Sequence, residues 1–391
     1  MAEYDSFPLR DDFTRCKKLD VKSFAKMLDN PTNCYKFYWL EAVVNLIGKG
    51  AESASFDEVF NEMISNAWST VLEYHILLSP KKNGERKDSL ERAVKSLKGA
   101  ATDLSLNASK PQIERAIIKY GEQLAEHKKQ LAIYVPCCAL AGFYKAWSEE
   151  KYNYNYSQKM VDFTKSVSLK TPLPYVFEMQ PNRGRVLLFH PLWVEYIREN
   201  MNVILGWIQH EKCKWLQTVN PEIPSIVTKL TAPKIDRNKL KTVHGLWDAV
   251  LAECKNPFFD IYSDKPIDRQ KYAMDHFVPW SFVSHNELWN LLPIDPSINS
   301  KKSNQLPEWE RYFRKFAEGL YLMYEMKEKS EKIRDLFRKC YKDFIHSRWA
   351  DEKLFLSGNS RESFIKILEE NMHPIYVSAK NHNYENWHFE G

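Results

Sequence analysis

The stretch from Met274 to Pro307, MDHFVPWSFVSHNELWNLLPIDPSINSKKSNQLP, gathers residues suited to chemistry on phosphate. Asp275 and His276 are adjacent, Asn290 and Asn299 follow, and Lys302 lies three residues beyond Asn299. A carboxylate and an amide oxygen, completed by waters and phosphate oxygens, form a hard oxygen environment that suits Mg²⁺ or a similar ion. An imidazole beside them can take a proton from water as it attacks phosphorus. A bound cation stabilises the leaving oxygen. An Asp–His pair alone arises readily by chance and more often has a structural role; the weight lies in the whole constellation.

These groups act together only if the chain folds them together. MDHFVPWSFV is rich in Phe, Val and Trp, and LWNLLPID reads as a second short strand, with SHNE as the turn between them. Asp295 is a natural N-cap and Pro296 suits the first helical position, so a short helix starts there and ends before Pro307. The order is strand, turn, strand, helix. Asp275 and His276 fall at the start of the first strand, Asn290 within the second, and Asn299 in the first helical turn. Lys302 and Ser303 share the Asn299 face. The helix start offers free N–H groups and a dipole to phosphate. Neighbours on a regular strand point to opposite faces, so Asp275 and His276 serve one site only where the strand twists or ends.

The stretch resembles the HNH, or ββα-metal, nuclease motif. The resemblance is carried by Asp275–His276 followed by Phe–Val–Pro, then Ser281, Asn290, Asn299, Lys302 and Pro307. The HNH domain of RNA-guided CRISPR effector nucleases has closely similar spacing. The resemblance implies Asp275 and Asn299 as ligands of Mg²⁺ or Mn²⁺, and His276 as general base. It implies Asn290 as the brace between the strands and Lys302 as a basic group near the scissile phosphate. Many HNH proteins add two C-x-x-C knuckles. Here only Cys254 lies nearby, in ECKNPFFDIYSDKPID, so no structural zinc is expected and helices must support the site. NCYKFYWLEAVVNLI, SFDEVFNEMISNAW and HPIYVSAKNHNYENW also resemble prokaryotic HNH proteins found among anti-phage defence genes. The nuclease resemblance implies DNA as substrate, and the wider one protein partners from a defence operon.

The rest of the chain reads as scaffold. Its 391 residues are 44 % apolar and 14 % aromatic, which excludes disorder and allows two or three domains. A net charge of +5 permits a polyanionic partner without demanding one. Seven scattered cysteines with no C-x-x-C read as reduced, cytoplasmic thiols, Cys137–Cys138 as buried apolar residues. The run Leu131 to Tyr144 is too short to span a bilayer, and no membrane partner is expected. Ser55 and Glu58 form a capping box for a helix over 55–72, and 34–47 reads as another. Single helices are expected over 110–130 and 194–217, an exposed connection or edge strands over 149–171, and helices over 308–349 and 360–371. A basic amphipathic helix over 329–348, and Lys229, Lys234, Arg237, Lys239 and Lys241, could follow a DNA backbone. His285, Trp280 and Trp289 are lesser candidates for substrate contact.

The expected fold is α+β and mainly α-helical, a small ββα-metal (HNH) core flanked by helical N- and C-terminal regions. The expected divisions are a helical domain over 1–225 for sensing, partner or DNA binding, the nuclease core over 226–320, and a helical extension over 321–391. The expected function is metal-dependent hydrolysis of DNA in anti-phage defence, by nicking or double-strand cleavage. The alternative is a nucleic-acid- or partner-binding regulatory protein whose nuclease site is silent until activated.

Overall fold

The computed structural model describes residues 18–80, 88–144, 156–231 and 240–390. Expectations for 1–17 (Cys16 included), 81–87, 149–155, Lys234, Arg237 and Lys239 fall outside the described residues. The chain is mainly helical with small sheets, an α+β fold. It divides into two compact units, Met1–Pro221 and Glu222–Gly391.

In the first unit, the Tyr35–Gly48 and Phe56–Leu72 helices pack through buried Trp39, Phe60 and Trp68. The Ser55–Glu58 capping box starts the second of them. Strand Gly184–Phe189 lies between Ser53–Ser55 and Tyr175–Gln180, antiparallel to both. The Trp39 indole donates to the Tyr175 hydroxyl (2.9 Å), which donates to the Pro136 carbonyl (3.0 Å). Three expectations are corrected. The 110–130 helix is two helices, Lys110–Lys119 and Gly121–Ala139, which meet at Tyr120. The 194–217 helix is likewise Pro191–Glu199 and Met201–Val219, separated at Asn200. Within 149–171, Gln158–Ser168 is a helix whose Ser157 side chain accepts from the Met160 N–H. In the first two cases apolar residues continue through the break, and in the third the Ser157 cap starts a helix in a polar segment.

The second unit has one buried cluster, running from Val243 to Tyr384. Its centre is an antiparallel pair, Ala273–His276 against Leu291–Ile294, with His276 opposite Leu291 and Ala273 opposite Ile294. The Trp309–Lys329 helix packs on Leu291–Ile294. That helix runs through residue 320, and Lys241–Glu253, Glu331–Phe344 and Arg361–Asn381 complete the shell. Asn386–Trp387, from the C-terminal segment quoted above, pairs in parallel with Leu306–Pro307. The expected C-terminal helices are thus present, and their apolar faces build the core under the hairpin.

At Gly319 the long helix lies close against Leu292 of the hairpin. A Cβ there would lie 2.9 Å from Leu292 Cδ1 and 3.2 Å from Phe258 Cζ. Valine at this position overpacks the contact, and Gly319→Val should cost about 1–3 kcal/mol. Urea unfolding of the purified variant measures it.

Candidate functional site

The first strand ends where the chemistry begins. Asp275 and His276 are its last two residues, not its first, and the chain then turns at Pro279 into a helical turn, Trp280–Val283. Both residues are still paired in the ladder, Asp275 opposite Leu292 and His276 opposite Leu291, and their side chains take different partners, Tyr262 and Lys302 for Asp275 and Asn286 for His276. Asn290 is also displaced from its expected place. It ends a 3₁₀ turn, Leu288–Asn290, directly before the second strand. Asp295 caps the Pro296–Lys302 helix, accepting from the Ser297 and Ile298 N–H groups, with Pro296 at the first position. Ser303 is the C-cap residue, outside that helix.

Asn290 is fully buried and uses both ends of its amide on one residue. Its Nδ2 donates to the Val278 carbonyl (2.8 Å) and its Oδ1 accepts from the Val278 N–H (2.8 Å). The Phe277 N–H also donates to the Asn290 carbonyl (3.0 Å). The side chain takes the part of a strand neighbour after the ladder has ended.

Asp275 is 4 % exposed, and each of its oxygens has a partner. Oδ1 accepts from Lys302 Nζ at 2.9 Å and Oδ2 from the Tyr262 hydroxyl at 2.8 Å. Burial, then the Asp275 charge, raises the Tyr262 phenol well above its ordinary value, so it stays a donor. Lys302 is 1 % exposed and donates also to the His276 carbonyl (2.8 Å). It lies beneath the strand end rather than facing outward. Asp260 holds the pieces in register: its carboxylate accepts from the Tyr262 and Ser263 N–H groups (both 2.9 Å) and from the Asp295 N–H (2.7 Å). Tyr262, Asp260 and Asn286 were missed in the sequence. The first two sit in a segment quoted there only for its cysteine.

Asn299 lies one turn before Lys302 on the same helical face. Its side chain is partly exposed and has no hydrogen-bond partner among the described residues. Asp275 and Asn299 thus offer oxygen donors only. Among the described residues no group of three or more His, Cys, Asp and Glu could hold an ion unaided. A carboxylate and an amide oxygen fit a hard divalent cation in kind, although both Asp275 oxygens are here engaged by Lys302 and Tyr262. The Cys254 thiol approaches Met326 Sδ instead (3.6 Å), and burial raises its pKa.

The other candidates separate. Trp289 is core, its indole donating to Ser347 Oγ, and Trp280 is partly buried. His285 is exposed. Lys229 was expected to be available to a DNA backbone; it is 3 % exposed, with its ammonium on the Pro224 and Phe282 carbonyls and Ser284 Oγ. Exposed lysines on Glu331–Phe344 are Lys332, Lys339 and Lys342, opposite buried Ile333, Phe337, Cys340 and Phe344.

Residues 260–308 match a family model described as HNH endonuclease. No curated protein and no solved structure matches the chain. An HNH endonuclease domain is therefore present in the second unit, and it suggests a nuclease. No helix among the described residues is long and apolar enough to cross a membrane.

Two outcomes follow from this geometry. Asn290→Ala strands the Val278 N–H and C=O in the core; an unsatisfied buried group costs roughly 1–3 kcal/mol, so the variant should lose about 2–4 kcal/mol in denaturant unfolding. The second concerns pH. Burial lowers the His276 pKa from 6.5 to about 4, Lys302 and His285 add to that, and the Asn286 hydrogen bond opposes it. Between those values the unfolded imidazole binds a proton that the folded one does not. The stabilising contribution is therefore whole above pH 6.5 and is lost as pH falls towards 4. The unfolding midpoint of the metal-free protein should drop across that window, and less steeply in His276→Leu.

Proposed function

We propose that this chain is a metal-dependent HNH endonuclease that hydrolyses DNA phosphodiester bonds. The observation that carries the reading is the strand end at Asp275–His276, faced by a helix bearing Asn299, inside the segment that matches the HNH family model.

His276 is neutral near pH 7 and serves as general base, accepting the proton of a water that attacks phosphorus. Asp275 and Asn299 would hold Mg²⁺ or Mn²⁺. When bound, the cation supplies positive charge beside the phosphate and the leaving oxygen. Tyr262 and Lys302 orient the Asp275 carboxylate from behind. Lys302 thus acts through Asp275 and not on phosphate directly. Asn290 acts through the backbone it braces.

A single site cuts one strand at a time, so the enzyme nicks unless two sites meet on one duplex. The resemblance to prokaryotic HNH proteins among anti-phage genes supports a cytoplasmic defence role, with the helical Met1–Pro221 unit as the part that senses or binds a partner.

Plasmid relaxation tests the chemistry. Supercoiled DNA should convert to open circles with Mg²⁺ or Mn²⁺ and stay intact with EDTA. His276→Ala should slow the conversion by about 10²–10⁴-fold, the usual worth of a positioned base. Relaxation that survives His276→Ala at the original rate would falsify the assignment.

A further inference from the structure

His276 is held by a residue that neither the motif nor the family match singles out. Its Nε2 lies 2.9 Å from Asn286 Oδ1. An amide oxygen only accepts, so Nε2 carries the proton. A neutral imidazole has one N–H, and Nδ1 is then left with a bare lone pair.

The loop that presents Asn286 is pinned on both sides. Upstream, Lys229 donates to the Phe282 carbonyl (2.6 Å) and to Ser284 Oγ, and its remaining contact is the Pro224 carbonyl (2.6 Å). These acceptors are all neutral. A buried ammonium without a carboxylate is costly to keep, and burial brings the Lys229 pKa down to about 7. Ser284 takes a left-handed backbone, φ 62°, as the chain leaves the Trp280–Val283 turn. Downstream, the Glu287 carboxylate, 1 % exposed, accepts from the His346 N–H (3.1 and 3.2 Å) and from Ser347 Oγ (3.1 Å). Only His285 and Asn286 lie between the two clamps. His285 Nδ1 turns back to the Val283 carbonyl (2.5 Å), and Asn286 reaches the imidazole.

We propose that Asn286 is the positioning residue of the HNH site. It fixes the His276 ring with its proton on Nε2, so that Nδ1 faces the water to be activated, and Lys229 and Glu287 hold its loop in place. The role in turnover rests on the nuclease reading above, whereas the role in orienting the ring does not.

The experiment uses the full chain with ¹⁵N-labelled histidine, free of metal, at pH 8, where the imidazole is neutral. Long-range ¹H–¹⁵N correlation reads which ring nitrogen bears the proton. The expected result is a single Nε2–H form in the parent protein, a mixture of forms in Asn286→Ala, and the single form again in Asn286→Asp, whose carboxylate also only accepts. An Nδ1–H form in the parent, or an unchanged single form in Asn286→Ala, overturns the proposal. In plasmid nicking, Asn286→Ala should lower kcat roughly 10–100-fold, as loss of an outer-shell partner does, with KM nearly unchanged. Full kcat in Asn286→Ala overturns the role in turnover. A parent protein with the expected ring form and no nicking supports the orienting role and removes the nuclease reading, so the two fail separately.

Discussion

A carboxylate as buried as Asp275 cannot stand alone, and the second unit is organised around giving it partners. Lys302 supplies the charge and Tyr262 a hydroxyl. Breaking a buried pair of this kind costs roughly 3–5 kcal/mol, because the partner left behind keeps its desolvation penalty. The same lysine donates to the His276 carbonyl, so the pair that compensates Asp275 also fixes the strand end. Asp260 then joins the Tyr262 turn to the first residue of the segment that caps the helix bearing Lys302. Three short segments are thereby tied together through two carboxylates, Asp275 and Asp260.

This arrangement bears on how a cation would be used. With an ammonium already on Oδ1, the hairpin and the helix hold together without a metal. Near-cancellation of the Asp275 and Lys302 charges leaves the protein's own pull on a divalent cation modest. Phosphate oxygens of a substrate would supply what two protein oxygens do not, in keeping with the way Mg²⁺ is commonly shared between carboxylates and phosphates. The sequence has no C-x-x-C pair from which zinc knuckles are built. The support that they give elsewhere comes from the Trp309–Lys329 helix, whose Gly319 lets it close on Leu292, and from the parallel pairing of Asn386–Trp387 with Leu306–Pro307.

The fold class and the local order around the site were legible in the sequence because their signals are local. Asp295 followed by Pro296 announces a capped helix, and Ser55 with Glu58 a capping box. Strand limits were less legible. Val278 was read as strand because it is apolar, yet its hydrogen bonds go to a side chain, Asn290, and no pattern of residue types reports that. Helix breaks at Tyr120 and Asn200 escaped notice because apolar periodicity runs through both. The partners of the site were hidden for a different reason. Tyr262 reaches Asp275 from 13 residues away and Lys229 reaches Phe282 from 53, and burial decides their roles. Lys229 reads as a surface charge until the core closes over it.

The ends left at a cut test the chemistry most directly. Attack by a water activated at His276, with departure of the 3′ oxygen, leaves a 5′-phosphate and a 3′-hydroxyl. Nicked plasmid recovered from the reaction should therefore be resealed by a DNA ligase without further treatment. Nicks that a ligase cannot close until a 3′-phosphate has been removed and the 5′-hydroxyl phosphorylated would contradict this chemistry at Asp275, His276 and Asn299.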